Sequence, residues 1–494
     1  MLVKRTSSVL YPNRCRVLVR PLQASSEQQT RNIIRRVVAL SPQEVDAELA
    51  HTLEQFRGRH ARLEDFLLAR CQQLMAYLPR GRELTMHHQL LLGAYFSQEY
   101  ALESAALFNP SMVWHPDQAG LGAGERRFVL SLRAAGEGHI SSIAFRSGTV
   151  NSAGAIRIDS ATSLAVAPTP RRDVSYDRAL FARKLSELGL HNEFAAAVMT
   201  GLDETFSWSE LEARLEEVES EHSKGLCVDH GTASGIRALA EANYEVSYPA
   251  EHDLSERVIF PCSPAEANGL EDARFVQFFD DDGTSRYFAT YTAYDGQVIL
   301  PQFLETTDFL HFKMNTLNGP GVANKGMAIF PRKIDSQYAM ISRQDNENLY
   351  LMLSSNIHFW YEKQLLVSPV RSWEFVQLGN CGSPIETEAG WLVLTHGVGA
   401  MRRYCIGAML LDRRDPLRVI GRLDEPLISP TENEREGYVP NVVYSCGAQI
   451  HGDHLIVPYA MSDYASRFAV VNLERLLGLL TDSHAGSRRA VLAK

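Results

Sequence analysis

Apolar positions recur at helical spacing through about the first 95 residues. Ser41-Pro42-Gln43-Glu44 sets an N-cap serine, a proline at the first helical position and a capping-box glutamate ahead of Val45, Leu49, Leu53 and Phe56, which share one helix face. A second stripe, Leu63, Phe66, Leu67, Cys71 and Leu74, follows before Pro79 and Gly81 interrupt it. Only Arg16-Val17-Leu18-Val19-Arg20-Pro21 reads as a strand in this region, so a helical appendage is predicted over residues 1–95. From about Phe108 the texture changes to short β-branched and aromatic runs parted by Gly, Asp, Asn and Pro, the mark of many short strands. Helical spacing returns between about 176 and 242, where Ser207-Trp208-Ser209-Glu210 is a second capping box, and predicts an insertion within one β domain.

Beyond the insertion, strand-like runs are predicted at Tyr287–Tyr294, Ala328–Arg343, Asn348–Ser354, Gly390–Thr395, Ile406–Asp412 and Leu455–Tyr459. Polar clusters close several of them at intervals of roughly fifty to sixty residues, near the period of propeller blades. Self-similarity is weak, so periodicity alone leaves a β-sandwich or a β-helix open.

The 494 residues carry a formal charge of −10, which gives no electrostatic footprint for a nucleic-acid or anionic-membrane partner. No apolar run is long enough to span a bilayer, and the N-terminus lacks the apolar core of a secretory signal. Cys15, Cys71, Cys227, Cys262, Cys381, Cys405 and Cys446 are scattered and never spaced as CxxC, against a disulfide framework or a zinc site. A cytoplasmic protein without a metal is expected. Asp280-Asp281-Asp282-Gly283 reads as a hairpin turn rather than a calcium loop, because the twelfth-position glutamate and flanking helices are missing. Trp391, inside Gly390-Trp391-Leu392, reads as core.

A set of short motifs carries chemistry. In order they are Phe108-Asn109-Pro110-Ser111, Phe145-Arg146-Ser147-Gly148, Glu271-Asp272-Ala273-Arg274, Asn324-Lys325-Gly326, Phe330-Pro331-Arg332-Lys333-Ile334, Pro384-Ile385-Glu386-Thr387, Gly390-Trp391-Leu392, His396-Gly397, and Val439-Pro440-Asn441-Val442-Val443 followed by Ser462-Asp463. Their order and spacing over residues 108–463 resemble glycoside hydrolase family 130, the mannoside phosphorylases and β-mannosidases. The appendage and the insertion fall outside the resemblance. It implies a mainly β fold, a five-bladed β-propeller over residues 96–480 with the active site in its central cavity, followed by a tail at 481–494. It also implies a mannose-containing oligosaccharide and inorganic phosphate as substrates, with no cofactor.

By the same resemblance, Asp272 is the general acid, delivering its proton through a sugar hydroxyl. Here Ala273 stands where the family has proline, which leaves the carboxylate and Arg274 in place. A leaving alkoxide needs a proton, and a carboxyl group serves near neutrality once burial or a neighbouring charge raises its pKa. Glu271 is not expected to join it, since neighbours on a strand point to opposite faces. Asn109, Arg146 and Asp463 match positions that hold the mannosyl unit, and amide, guanidinium and carboxylate groups suit paired hydroxyls. Arg274, Lys325, Arg343 and His396 match the phosphate-binding positions, where cationic donors must converge on an oxyanion. Two departures concern this set: Thr395 precedes His396-Gly397 where many phosphorylases have tyrosine, and Asn380 stands where they carry a basic residue.

Inverting phosphorolysis of a β-mannoside to α-mannose 1-phosphate is therefore the expected activity. A hydrolase on the same scaffold would need a second carboxylate to activate water, for which Glu347 and Glu386 are the candidates. A non-catalytic sugar-binding propeller is the reading from another class. The apolar stripes of the N-terminal helices must be covered by the β domain or by a second subunit, so a homo-oligomer is considered.

Overall fold

In the computed structural model, residues 1–78, 83–171, 175–222 and 230–491 are described; Pro79, Gly81 and Cys227 lie outside them. Strands dominate and are linked as antiparallel meanders. The first comprises Ala106–Trp114, Arg126–Ala135 and Ser141–Val150, and the second Gly269–Phe279, Ser285–Tyr294, Ile299–Thr306 and His311–Thr316. A single parallel pairing, Gly269 with Ser141, joins these two into one eleven-stranded sheet. A third meander holds Lys325–Ile329, Tyr338–Arg343, Leu349–Ser354 and Gln364–Val367, and a fourth Gln377–Asn380, Gly390–Val398, Tyr404–Leu411 and Val419–Arg422. In the last, Val443–Tyr444, His454–Met461 and Ala465–Asn472 are completed by Val3–Leu10.

Side-chain alternation explains how these sheets stack. Gly390–Val398 is buried along its whole length. Its Leu392 and Leu394 join Leu455 and Val457 of the last meander, while Trp391 and Val393 join Ile341 and Leu351 of the third. The same division recurs: Val129 and Phe145 meet Leu270 and Phe275, Phe278 and Phe288 meet Met327 and Met340, and Leu130 and Ala144 meet Ile456 and Phe468. Each such core lies between two meanders, and each fully buried Leu or Phe contributes about 1.5–3 kcal/mol.

Two helical regions flank the strands. Glu27–Val38, Pro42–Gln55, Leu63–Gln73 and Met86–Tyr95 form the first, and Ser41 and Glu44 make the reciprocal capping box. Gly93 sits where the last two of these helices approach so closely that a Cβ would collide with the backbone of Leu67. Val45, Cys71 and Leu91 share a core among these helices, so the apolar stripes largely cover one another and burial alone does not require a second subunit. The insertion has its own core of Phe181, Leu185, Val198, Leu211, Leu215 and Ile236, and the Ser207–Glu210 box is formed.

Three expectations are corrected. The N-terminal region is not purely helical, because Val3–Leu10 pairs with Ala465–Asn472. Its half-buried, Ser- and Thr-rich sequence carries little hydrophobic alternation to announce it. The run Ala328–Arg343 is two strands, parted by a turn in which Asp335 and Ser336 take positive φ. Residues after 480 continue the helix Leu473–Val491. Among the described residues no helix is long and apolar enough to cross a membrane.

Candidate active site

The site is built where regular strands are broken. Register shifts interrupt the pairing between Phe108 and Ser111, between Glu271 and Arg274, and between Lys325 and Ala328, each on the first strand of its meander. Asn109 and Asp272 sit inside the first two interruptions with φ of 49° and 53°, and Asp463 has φ of 48° in the turn after His454–Met461. The left-handed region costs a non-glycine residue about 1–3 kcal/mol, and such outliers gather where side-chain aim matters more than stability. A bulge also ends the strict alternation of faces. As a result the Asn109 amide Nδ2 donates to Asp272 Oδ1 at 2.6 Å, across two meanders.

Glu271 lies beside Asp272 in this cluster, contrary to the expectation from strand alternation. Arg133 Nη2 donates to Glu271 Oε1 at 2.8 Å while its Nη1 stands 3.6 Å from Asp272 Oδ1, and Lys325 Nζ holds Glu271 Oε2. Burial pushes the Asp272 carboxyl up, but Arg133, Arg274, the Asn109 amide and Lys325 outweigh it and hold the group below the ordinary aspartate value. Asp463 goes the other way. Burial and the neighbouring Asp272 charge raise it to about 6, against the opposing pull of Arg133 and Arg402. Two carboxyl groups that sense each other are thus driven apart in proton affinity, an arrangement typical of sites that divide proton-holding from ionic roles.

On the other side of Asp272 is a cationic wall. Arg274 is buried, donates from Nη1 to the Asp272 backbone oxygen at 3.0 Å and from Nη2 to the Tyr444 hydroxyl at 2.6 Å, and leaves Nε unpartnered. Arg343 is buried too, makes no ion pair among the described residues and also leaves Nε unpartnered. Burial and the Arg274 charge lower its pKa, yet a guanidinium remains charged at neutral pH. His396 is 1% exposed and its Nδ1 has no partner. Burial, Arg343 and Arg274 drive its pKa well down, so the ring is neutral. It packs 4.8 Å from the Tyr444 ring, and a Cβ at Gly379 would strike it, so glycine is required beneath it. Asn380, wholly buried, keeps its Oδ1 without a partner. Asp272 is the carboxylate whose charge both guanidiniums share, and two buried cations sharing one counter-charge are costly unless a further anion completes them.

Of the residues predicted from sequence, Asn109, Asp272, Arg274, Lys325, Arg343, His396 and Asp463 fall in this one region. Arg146 does not join it: its Nη2 is committed to buried Glu103 at 2.6 Å, and Arg16 pairs with the same carboxylate at 3.0 Å. Glu386 is also elsewhere, bound by Arg332 and Arg413. It lines a cavity of about 310 Å³ with Trp114 and Phe279, at the opposite ends of the strands that carry Asn109 and Asp272. Glu347 is exposed on a loop. Asn380 lies in the region too, at the position the resemblance marks as a departure, while Arg133, Glu271 and Tyr444 are members that the motifs do not predict. Tyr444 directly follows the Val439–Val443 motif, which is its one signal in the sequence, whereas nothing local marks Arg133.

Comparison with known proteins gives a consistent result. The family model described as β-1,4-mannooligosaccharide phosphorylase, of glycoside hydrolase family 130, matches residues 237–482. A 1,2-β-oligomannan phosphorylase of Thermoanaerobacter sp. (strain X514) is 33% identical over 217 residues, covering 42% of this chain and 70% of that protein. A β-1,2-mannobiose phosphorylase of the same strain is 33% identical over 220 residues, covering 43% and 70%. The solved β-1,2-mannobiose phosphorylase of Listeria innocua, in complex with β-1,2-mannobiose, aligns with 76% of this chain and 92% of that one, with a TM-score of 0.46 and 21% identity.

Proposed function

Since the chain belongs to glycoside hydrolase family 130, we propose that it cleaves β-mannosides by inverting phosphorolysis, releasing α-mannose 1-phosphate and a shortened sugar. The observation that carries this reading is the wall of Arg274, Arg343 and neutral His396 beside Asp272, in which, among the described residues, neither guanidinium forms an ion pair and each leaves its Nε unpartnered. A phosphate dianion supplies that complement, and Arg forks match its oxygens.

In this mechanism Asn109 and Asp463 hold the mannosyl unit, and a phosphate oxygen attacks the anomeric carbon from the face opposite the leaving group. The glycosidic C–O bond breaks as the P–O–C bond forms, and the Asp272 proton ends on the leaving oxygen by way of a mannosyl hydroxyl. Without phosphate, Asp272 is ionised because cations surround it. Phosphate draws on Arg274 and Lys325, weakening the field that disfavours the proton, so Asp272 is readied as acid when the nucleophile is in place. Water alone brings no such charge.

The same reading takes the fold as a five-bladed propeller over residues 96–480. Its support is the succession of cores from first to second, third, fourth and last meander and back to the first. A reducing cytoplasm suits the buried thiols of Cys71, Cys381, Cys405 and Cys446. Because the relatives matched over 70% of their length are named for β-1,2 linkages, β-1,2-mannobiose is the substrate to try first. Incubated with it and phosphate, the protein should yield mannose 1-phosphate and mannose in equal amounts, and nothing in phosphate-free buffer. Free mannose as sole product at a phosphate-independent rate would overturn the reading.

A further inference from the structure

Glu271 forms close ion pairs with two of the site's cations, where Asp272 has a single 3.6 Å pairing with Arg133, yet the mechanism above leaves it without a role. It lies between three meanders: Arg133 reaches it from the first and Lys325 from the third, each taking one carboxylate oxygen. The register shift between Glu271 and Arg274, with Asp272 in the left-handed region, turns both acidic side chains into one cluster. A carboxylate facing an anion site repels its ligand unless its own charge is compensated, and here both oxygens are occupied by cations. Its side chain is only 11% exposed, whereas that of Lys325 is 31% exposed, so the flexible partner is the lysine.

We propose that Glu271 is a positioning residue for phosphate, anchoring Lys325 so that its remaining N–H groups meet the attacking dianion while Arg133 stays turned toward Asp272. An ammonium has three donors, so one can remain on Glu271 while others reach phosphate. Without the anchor the long lysine side chain is free before phosphate binds, and its ordering must accompany each binding event. The inference rests on the phosphorylase reading and adds the residue that orders its phosphate site.

The test is a double-mutant cycle on the full chain, with phosphate and mannoside varied separately in Glu271→Ala, Lys325→Ala and the double variant. Glu271→Ala should raise the KM for phosphate about tenfold, the loss of one charge-assisted contact, and leave the KM for the mannoside within about twofold. Lys325→Ala should add less than about twofold in the Glu271→Ala background, because the lysine has already lost its placement. Glu271→Gln, which keeps shape and an acceptor oxygen, should fall between wild type and Glu271→Ala, and it carries the test if the alanine variant does not fold. The proposal is overturned if the single effects multiply in the double variant, if Glu271→Gln leaves the phosphate KM unchanged, or if the mannoside KM rises instead. A wild type indifferent to phosphate would sink the phosphorylase reading itself, an outcome visible before any variant is made.

Discussion

Asp272 and Asp463 are close enough to sense each other and are pushed in opposite directions, so their removal should have opposite consequences for stability. Asp463 is raised to about 6, so the folded protein binds more protons than the unfolded chain between about pH 4 and pH 6, and stability falls as pH rises through that window. Asp463→Asn should therefore be more stable than wild type at pH 7, by about 1–2 kcal/mol after allowance for solvent, and the gap should close below about pH 4. Asp272 is held below its ordinary value, so its ionised form stabilises the fold above the unfolded pKa and that contribution is lost as acid is added. Asp272→Asn should be the less stable variant at pH 7, with turnover lowered about 10²–10⁴-fold. Thermal melts of both from pH 3.5 to 8 check the pair, and equal shifts of the same sign would contradict this electrostatic assignment. Most candidate residues were legible from motifs, because a bulged Asn-Pro or Glu-Asp run keeps its local sequence. Arg133 and Glu271 were not, since the role of each comes from partners more than fifty residues away. Arg146 misled because its motif was intact while its partner, Glu103, lay outside any motif.

Closure of the last meander depends on an element with little hydrophobic signal. Val3–Leu10 covers the edge of Ala465–Asn472, and its Arg5 reaches the buried Glu434 carboxylate at 3.2 Å, where Tyr459 also donates at 2.6 Å. Deleting residues 1–10 should expose that edge and leave Glu434 with one cation fewer. The expected result is a loss of about 3 kcal/mol or more, seen as a lower Tm, together with self-association through the bare strand. Calorimetry and light scattering test this; an unchanged, monodisperse protein would show that the strand is dispensable. The strands inside the meanders were easier to read, because alternation such as Leu392 and Leu394 against Trp391 and Val393 serves two cores and leaves dense apolar runs. The two capping boxes were legible because they are local by construction. The split of Ala328–Arg343 was not, since its turn uses Asp335 and Ser336 at positive φ without a glycine.

At the scale of the molecule, chemistry converges from separate meanders: Asn109 and Arg133 from the first, Glu271, Asp272 and Arg274 from the second, Lys325 and Arg343 from the third, Asn380 and His396 from the fourth, Tyr444 and Asp463 from the last. No meander holds both the acid and a complete set of anion donors. The assembled sheets hold these polar and charged groups together, which a single strand or hairpin could not do. On the proposed reading this wall binds the attacking phosphate and not the sugar. The most direct measurement is the steady-state rate of Arg343→Ala with phosphate and mannoside varied independently, because Arg343 is a buried guanidinium without an ion pair among the described residues. The KM for phosphate should be higher by about ten- to a hundredfold, the value of a lost bond to a charged group, with the KM for the mannoside nearly unmoved. An unchanged KM for phosphate, or a rise confined to the mannoside, would contradict it.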